Sequence, residues 1–199
     1  MEIETASGAG DVQLDGGAGA RFLVVLTHGA GGGVQAADLL AVRDACVELG
    51  GLVARVTQPY RVRGGRAPGN AVRQDEAWTE IVAALRAEVP DVPLVQGGRS
   101  NGARVACRTA AAAGAAGVIA LAYPLHPPGK PGNSRAGELR EPQAAGIPVL
   151  VLNGERDPFG IPDAADADRV VVIPGETHAL KGHRAAIRAA VTEWLPKVI

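Results

Sequence analysis

Six short apolar runs, separated by helix-length stretches, constrain the fold of this 199-residue chain more than any other feature. The runs are nearly continuous in apolar residues, which is typical of strands buried on both faces of a parallel sheet. Between them, apolar residues recur at spacings of three and four, as on the buried side of a helix. This alternation predicts an α/β fold: a mostly parallel central sheet with helices on both faces and right-handed crossovers. The predicted strands are 22–26, 53–57, 92–95, 117–122, 149–152 and 169–173.

The length of the chain predicts one domain, which we assign to residues 21–199. Residues 1–20 form a separate N-terminal segment, in which Glu2–Thr5 and Val12–Leu14 are predicted to pair as an edge hairpin. Two loops, 58–73 and 123–143, follow predicted strands and should open at the carboxyl edge of the sheet, where ligands bind in such folds. Neither loop is long enough for a large lid.

Composition excludes several classes of function. A net charge of −1 gives no electrostatic basis for binding nucleic acid. No apolar run approaches the roughly 18 residues of a membrane span, and the acidic stretch 1–20 does not read as a secretory signal. We therefore expect a cytoplasmic protein with no membrane partner. The oligomeric state stays open.

No cofactor or metal is expected from the motifs. Val34 stands where a dinucleotide fingerprint needs its third glycine, and no phosphate loop is present. No histidine, cysteine and carboxylate spacing fits a metal site. Cys46 and Cys107 fall in predicted helices and read as buried thiols rather than a disulfide.

A serine between two glycines, Gly98-Arg99-Ser100-Asn101-Gly102, lies between a predicted strand and a predicted helix. A sharp turn there would strain the serine backbone, and glycine on each side would let the strand and the helix approach closely. Such a turn exposes the serine hydroxyl at the end of the sheet. The alternative interpretation is a serine that only caps the helix.

An acid and a histidine follow the serine, each just after a later strand. A serine hydroxyl needs a base to take its proton, and an acid to orient that base. We predict Ser100 as nucleophile, His178 as base and Asp157 as the orienting acid, all on loops at one edge of the sheet. Glu155 and His183 are the alternative acid and base.

A glycine-rich stretch after the first core strand, His28-Gly-Ala-Gly-Gly-Gly33, could supply backbone donors for a developing oxyanion. We predict the amides of Ala30 (or Gly31) and Asn101 as the oxyanion hole, with His28 bracing the loop. Further predicted substrate contacts are Gly29, Gly31, His126 and Arg99. The arginines at 61, 63 and 66 could attract an anionic substrate or simply face solvent.

The HGAGGG, GGRSNG, ERDPFG and GETH stretches, in this order, resemble the α/β-hydrolase superfamily between Phe22 and Leu195. The YPLHPPGKP stretch at 123–131, taken with the acid loop, is similar to small capless bacterial hydrolases. It is also similar to the hydrolase-like domain of a subunit of the non-specific-lethal chromatin complex. This resemblance implies the α/β-hydrolase fold and a Ser-His-Asp triad, but no substrate. The chain departs from it at Asn101, where methionine is common, and at Ala179-Leu180, where Ser-Phe is common.

Together these features predict a serine hydrolase, esterase-like and dienelactone-hydrolase-like, acting on small esters or thioesters through an acyl-enzyme. Two other functions stay open: an amide hydrolase on the same triad, and a non-catalytic hydrolase-like module that binds or scaffolds.

Overall fold

The computed structural model describes residues 1–17 and 19–199, in which one eight-stranded sheet runs through the molecule in the order β1-β2-β4-β3-β5-β6-β7-β8. The strands are β1 (Glu2–Ile3), β2 (Gly10–Asp15), β3 (Leu23–Thr27), β4 (Leu52–Thr57), β5 (Leu94–Arg99), β6 (Gly117–Leu121), β7 (Val149–Gly154) and β8 (Arg169–Ile173). The helices are α1 (Ala37–Glu48), α2 (Pro59–Val62), α3 (Ala71–Glu88), α4 (Asn101–Thr109), α5 (Ala136–Ala144) and α6 (Arg184–Trp194).

Strands β3 to β8 are parallel, as the near-continuous apolar runs predict. Every residue of β3, β6 and β7 is buried, because helices cover both faces of the sheet. On one face, α1 and α6 pack on alternate strand residues such as Val24 and Leu26. On the other face, α3, α4 and α5 pack on the residues between them, such as Leu23 and Val25. The fold is therefore a mostly parallel α/β sheet with helices on both faces, which confirms the predicted architecture.

The N-terminal segment adds two strands at one edge of the sheet. β1 pairs antiparallel with β2, and β2 pairs antiparallel with β4. β1 ends at Ile3, two residues earlier than the predicted strand, and the Thr5 hydroxyl then closes a turn on the carbonyl of Gly8. Ala18, which falls in the predicted segment 1–20, lies outside the described residues.

Both predicted loops contain helix. The stretch 58–73 includes α2 and the start of α3, and the stretch 123–143 includes most of α5. Helix α5 escapes sequence reasoning because it buries only Leu139 and Pro142. It is stabilised instead by distant residues, since Arg104 and Arg108 on α4 form ion pairs with Glu138. Within the part of the chain that the structure describes, neither stretch forms an inserted lid.

Strand order places one crevice at the centre of the carboxyl edge. The chain leaves β3 toward β4 on one side, and it returns across the sheet to β5 on the other side. Neighbouring loops diverge at such a switch point, which leaves a space for ligand. The loop after β3 begins at His28, and the turn after β5 is Ser100, so the glycine-rich stretch and the serine motif face each other there.

Candidate active site

Ser100 lies alone between β5 and α4, in a backbone conformation that serine rarely adopts. Its φ is 53° and its ψ is −113°, and its side chain does not cap the helix. A non-glycine residue held at positive φ costs roughly 1–3 kcal/mol, which the surrounding packing must offset. The alternative interpretation of Ser100 as a helix cap is therefore wrong.

The two glycines of the motif are required by close backbone contacts. A Cβ atom on Gly98 would lie 2.6 Å from the carbonyl carbon of Gly102 and 2.7 Å from the carbonyl oxygen of Thr27. A Cβ atom on Gly102 would lie 2.6 Å from the same Thr27 oxygen. Strand β5, the start of α4 and the end of β3 therefore meet at a spacing that no side chain fits.

The structure brings the predicted serine, histidine and acid together. His178 Nε2 lies 3.0 Å from Ser100 Oγ, and His178 Nδ1 lies 2.8 Å from Asp157 Oδ2. The Asp157 side chain is fully buried, whereas that of His178 is 20% exposed. Because the carboxylate only accepts, Nδ1 carries the proton, and Nε2 is left to accept the proton of the serine hydroxyl.

The Asp157 carboxylate is held by its own loop. Its Oδ1 accepts a hydrogen bond from the amide of Phe159 at 2.9 Å, which leaves Oδ2 to face the imidazole. The buried Asn153, at the end of β7, donates to the carbonyls of Tyr123 and Gly160 and so ties this loop to the end of β6. The Phe159 ring lies 4.3 Å from the His178 ring, centroid to centroid. The acid therefore sits in a preformed turn, and the imidazole rests on an aromatic face.

The alternative acid and base lie elsewhere. The Glu155 carboxylate accepts from the amide of Gly175 on the surface. His183 precedes α6, and its Nδ1 lies 2.9 Å from the Glu176 carboxylate. Neither residue forms a hydrogen bond with Ser100 or His178.

The glycine-rich loop after β3 leans against the serine turn. A Cβ atom on Gly29 would lie 3.3 Å from Ser100 Cβ, so the loop and the turn are in contact. Neither the Ala30 amide nor the Asn101 amide donates a hydrogen bond to another group among the described residues. Both amides are thus free to donate to a ligand, as an oxyanion hole requires. Gly31 is exposed at the tip of the loop, with open space around it.

The fully buried His28 fixes the start of this loop. Its Nε2 accepts from the amide of Gln58 at 3.1 Å, so Nδ1 carries the proton and donates to the carbonyl of Gly29 at 2.8 Å. Burial lowers the pKa of His28, with the charge of Arg61 acting in the same direction. The ring therefore stays neutral and braces the loop.

Residues after β4 brace the same loop from outside. The Tyr60 hydroxyl donates to the carbonyl of Ala30, and Arg61 Nε donates to the carbonyl of Gly32. With the two bonds from Gln58 to His28 and Thr27, the segment following β4 holds the loop at several points. Sequence reasoning missed this brace, because only the β3–β4 pairing brings the two segments together.

The guanidinium of Arg99, which we expected to contact substrate, is held by other groups of the protein. Its Nε lies 2.9 Å from Oδ2 of the fully buried Asp38 on α1, although the pair is not aligned as a hydrogen bond. Its Nη2 donates to the main-chain carbonyl of His178 at 2.6 Å. One guanidinium therefore links the serine turn, α1 and the histidine loop. Burial raises the pKa of Asp38, and the charge of Arg99 partly offsets that shift.

His126, the remaining predicted substrate contact, belongs to the wall behind the acid loop. Its amide donates to the carbonyl of Phe159, and its ring covers Gly160. The half-buried ring forms no hydrogen bond with Ser100 or His178. It therefore supports the turn that presents Asp157.

The described residues also show the state of the cysteines, the metal-binding groups and the helices. Cys46 and Cys107 are buried free thiols, and burial raises the pKa of both, that of Cys46 to about 12. In this part of the chain, no group of three or more histidine, cysteine or acidic side chains could hold a metal ion. None of its helices combines the length and hydropathy needed to cross a bilayer.

The fold is that of the α/β hydrolases. The family described as an alpha/beta hydrolase domain matches residues 20–184, and the chain belongs to it. Comparison with curated proteins found no match.

Solved structures support the same fold. An alpha-beta serine hydrolase homologue from Coxiella burnetii superposes with a TM-score of 0.76 at 20% identity, covering 97% of this chain and 95% of that one. A lidless serine hydrolase from Xanthomonas campestris gives 0.71 at 22% identity, covering 98% and 94%. A dienelactone hydrolase from Anabaena variabilis gives 0.75 at 17% identity, covering 100% and 96%.

Proposed function

We propose that this chain is a serine hydrolase of small esters or thioesters, which works through an acyl-enzyme on Ser100. The observation that carries the proposal is the position of His178, whose two ring nitrogens lie within hydrogen-bonding distance of the serine hydroxyl and the acid. That arrangement is what nucleophilic catalysis by serine requires. Membership of the hydrolase family and the likeness to a dienelactone hydrolase add support.

The reaction follows from the hydrogen bonds of the site. Ser100 Oγ attacks the acyl carbon while His178 Nε2 takes its proton, and the carbonyl oxygen becomes an oxyanion held by the Ala30 and Asn101 amides. The intermediate collapses, and the proton on Nε2 passes to the departing alcohol or thiol. Water then attacks the acyl-serine, gives its proton to Nε2, and releases the acid as the proton returns to Oγ. Asp157 holds Nδ1–H and balances the charge of the imidazolium throughout.

The substrate is expected to be small. The described part of the chain has no lid to enclose a long acyl group, and the site opens directly to solvent beside His178. We accordingly propose a small acyl compound as the substrate. The cytoplasmic location and the similarity to a chromatin-complex subunit stay predictions.

Labelling tests the nucleophile directly. A fluorophosphonate should label the wild-type protein and Ser134→Ala, but not Ser100→Ala. Ser134 is a suitable control because its side chain bonds only the nearby Ala136 amide on the surface. Equal labelling of Ser100→Ala would refute the assignment.

Turnover tests the mechanism and the alternatives. Hydrolysis of p-nitrophenyl acetate should fall by roughly 10³-fold or more in Ser100→Ala and in His178→Ala. Activity that survives both changes would come from another source. A matched panel of ester, thioester and anilide distinguishes the esterase from an amide hydrolase. No turnover and no labelling of the folded wild type would favour the non-catalytic module.

A further inference from the structure

A polar cavity of about 620 Å³ lies beside the candidate active site and takes no part in the mechanism above. Its walls come from the end of β4 and α2, the first turns of α3, and the N-terminal turn at Ala6 and Ser7. A volume of this size falls within the usual range of small-molecule sites. The cavity opens at the carboxyl edge of the sheet, as the serine turn does.

Two arginines, Arg63 and Arg73, line the cavity. Arg63 Nη1 donates to the carbonyl of Ser7, which holds the guanidinium against the N-terminal turn. In the part of the chain that the structure describes, neither arginine has a carboxylate within ion-pair distance. Both therefore keep donors to offer to a ligand.

This lack of partners is a property of the whole segment rather than of one side chain. From Gln58 to Arg73 there are four arginines and no acidic residue. Elsewhere, nine of the thirteen other arginines form ion pairs with carboxylates among the described residues. A segment that concentrates positive charge in a chain of net charge −1 is unlike an ordinary solvated surface, where the two signs alternate.

Amide groups complete the lining. Asn70 Oδ1 accepts from the amides of Val72 and Arg73, which leaves its Nδ2 free to donate into the cavity. Gln58 and Gln74, both buried, bond to one another on the inner wall. One carboxylate, Glu76, also lines the cavity. With the two arginines, the lining of the cavity carries a net charge of +1.

The cavity shares its wall with the glycine-rich loop after β3. Gln58 and Tyr60 line the cavity, and they also bond to His28 and to the carbonyl of Ala30. A substrate with its acyl carbon at Ser100 could therefore extend past Tyr60 into the cavity. Gln58 and Tyr60 thus place the cavity next to the glycine-rich loop that touches Ser100.

We propose that this cavity, lined by Arg63, Arg73 and Asn70, binds an anionic group on the acyl chain of the substrate, a carboxylate or a phosphate. The inference rests on the proposed function, and it narrows the substrate class to acyl compounds that carry a second, negatively charged end. Paired guanidinium and amide donors suit such an oxyanion group.

Matched substrates test the proposal. Mono-p-nitrophenyl adipate and its methyl ester differ only in the charge at the far end. The ratio of their kcat/KM values should favour the acid in the wild type. It should fall about fivefold in Arg63→Gln or Arg73→Gln, and about tenfold or more in the double variant. Glu76→Gln should raise the ratio, because it removes the opposing charge.

Arg66→Gln is the matched control. Arg66 lies in the same basic segment and loses the same charge, but it does not line the cavity. Its ratio should stay within about twofold of the wild type, since long-range attraction alone has a small effect at physiological salt. If Arg66→Gln lowers the ratio as much as Arg63→Gln does, the cavity is not the binding site, and long-range attraction by the basic segment explains the preference. An unchanged ratio in the double variant would also overturn it.

A binding measurement separates this proposal from the catalytic one. In Ser100→Ala, titration with adipate should shift the backbone amide resonances of residues 70–74, and the double arginine variant should lose those shifts. If Ser100 is required for turnover but adipate causes no such shifts, the proposal of an anion site is wrong, whereas the proposed serine-hydrolase function is supported. If adipate binds there but Ser100 is not required, the proposed function fails alone. Thermal unfolding checks that the Arg63 variants fold.

Discussion

The serine turn and the histidine loop meet at one hydrogen bond, yet they are held in different ways. At residues 98–102, backbone touches backbone, and Gly98 and Gly102 leave no room for a Cβ atom. At residues 174–183, side chains hold the loop: Glu176 accepts from two amides and from His183, and Arg99 bonds the carbonyl of His178. Steric contact therefore fixes Ser100, whereas hydrogen bonds from and to charged side chains fix the loop of His178. Substitutions in the two regions should therefore fail in different ways.

The largest effect is expected from Gly98→Ala or Gly102→Ala. The added Cβ atom would lie within 2.7 Å of backbone atoms that belong to β3 or α4, and a backbone cannot move aside as a side chain can. We expect a loss of about 3 kcal/mol or more in the free energy of unfolding, or failure to fold. Urea denaturation measures it.

Gly137→Ala is the control for these changes, because nothing lies within 4 Å of its Cβ position in α5. It should be neutral or stabilise the helix by roughly 0.5–1 kcal/mol. If Gly98→Ala behaves in the same way, the steric account of the serine turn is wrong.

Arg99→Met should affect both regions, because Arg99 lies in the serine turn and bonds the histidine loop. It leaves the buried carboxylate of Asp38 without its partner, which should cost about 3 kcal/mol of unfolding free energy. It also frees the His178 carbonyl, and we expect kcat to fall by roughly 10–100-fold with little change in KM.

The double variant Arg99→Met with Asp38→Leu separates stability from positioning. It removes the unpaired charge, so much of the lost stability should return, whereas kcat should stay low because His178 still lacks its donor. Recovery of kcat together with stability would show that Arg99 acts on the fold only. Urea unfolding and steady-state kinetics give the two quantities.

Glu176→Gln should loosen only the histidine loop. Glu176 accepts from the amides of Lys181 and Gly182 at 3.2 and 2.5 Å, and from His183 Nδ1 at 2.9 Å. We expect a loss of about 1 kcal/mol and a fall in kcat of about threefold to tenfold. The control is Glu155→Gln, since Glu155 holds a single amide on the exposed side of the same loop. An equal loss of kcat in both variants would contradict a specific role for Glu176.

The pH dependence of stability gives the smallest expected effect, and it concerns the serine side of the site. Burial lowers the pKa of His28 below its ordinary 6.5. The unfolded chain then binds more protons than the folded one once the pH drops below 6.5. The contribution of His28 is fully present above that pH and is lost as the pH falls toward the folded-state pKa, by at most ~1.4 kcal/mol per pH unit.

His28→Gln tests this dependence, because its side-chain oxygen can accept from Gln58 without titrating. The variant should lose less unfolding free energy than the wild type between pH 7 and pH 5. Urea denaturation at both values measures the difference. If both proteins lose the same unfolding free energy between pH 7 and pH 5, His28 does not contribute to the acid sensitivity.

The sequence predicted the sheet well and parts of its edges poorly. The apolar runs gave the six parallel strands, because burial on both faces leaves a continuous apolar signal. Helix α5 was missed, since the ion pairs that hold it come from α4. Ser100, Asp157 and His178 were found because each follows a strand in an order that implies convergence, and the structure brings them together.

Arg99 and Tyr60 show why the rest of the site could not be predicted. Arg99 lies next to the serine, which suggested a contact with substrate, but its guanidinium turns to Asp38 and the His178 carbonyl. Tyr60 braces a loop thirty residues away. Neither contact has a local pattern, since each depends on how loops from separate strands meet.

Apolar spacing and strand order were enough to predict which strands are buried, where the chain turns sharply, and which three side chains could form one hydrogen-bonded chain. Those properties depend on local spacing and on the carboxyl ends of parallel strands lying at one edge. The pairing of Arg99 with Asp38 and the His178 carbonyl, and the basic cavity next to the glycine-rich loop after β3, appear only in the folded molecule. A charged side chain pairs with a group that lies near it in space, and the order of the strands determines which loops are near each other.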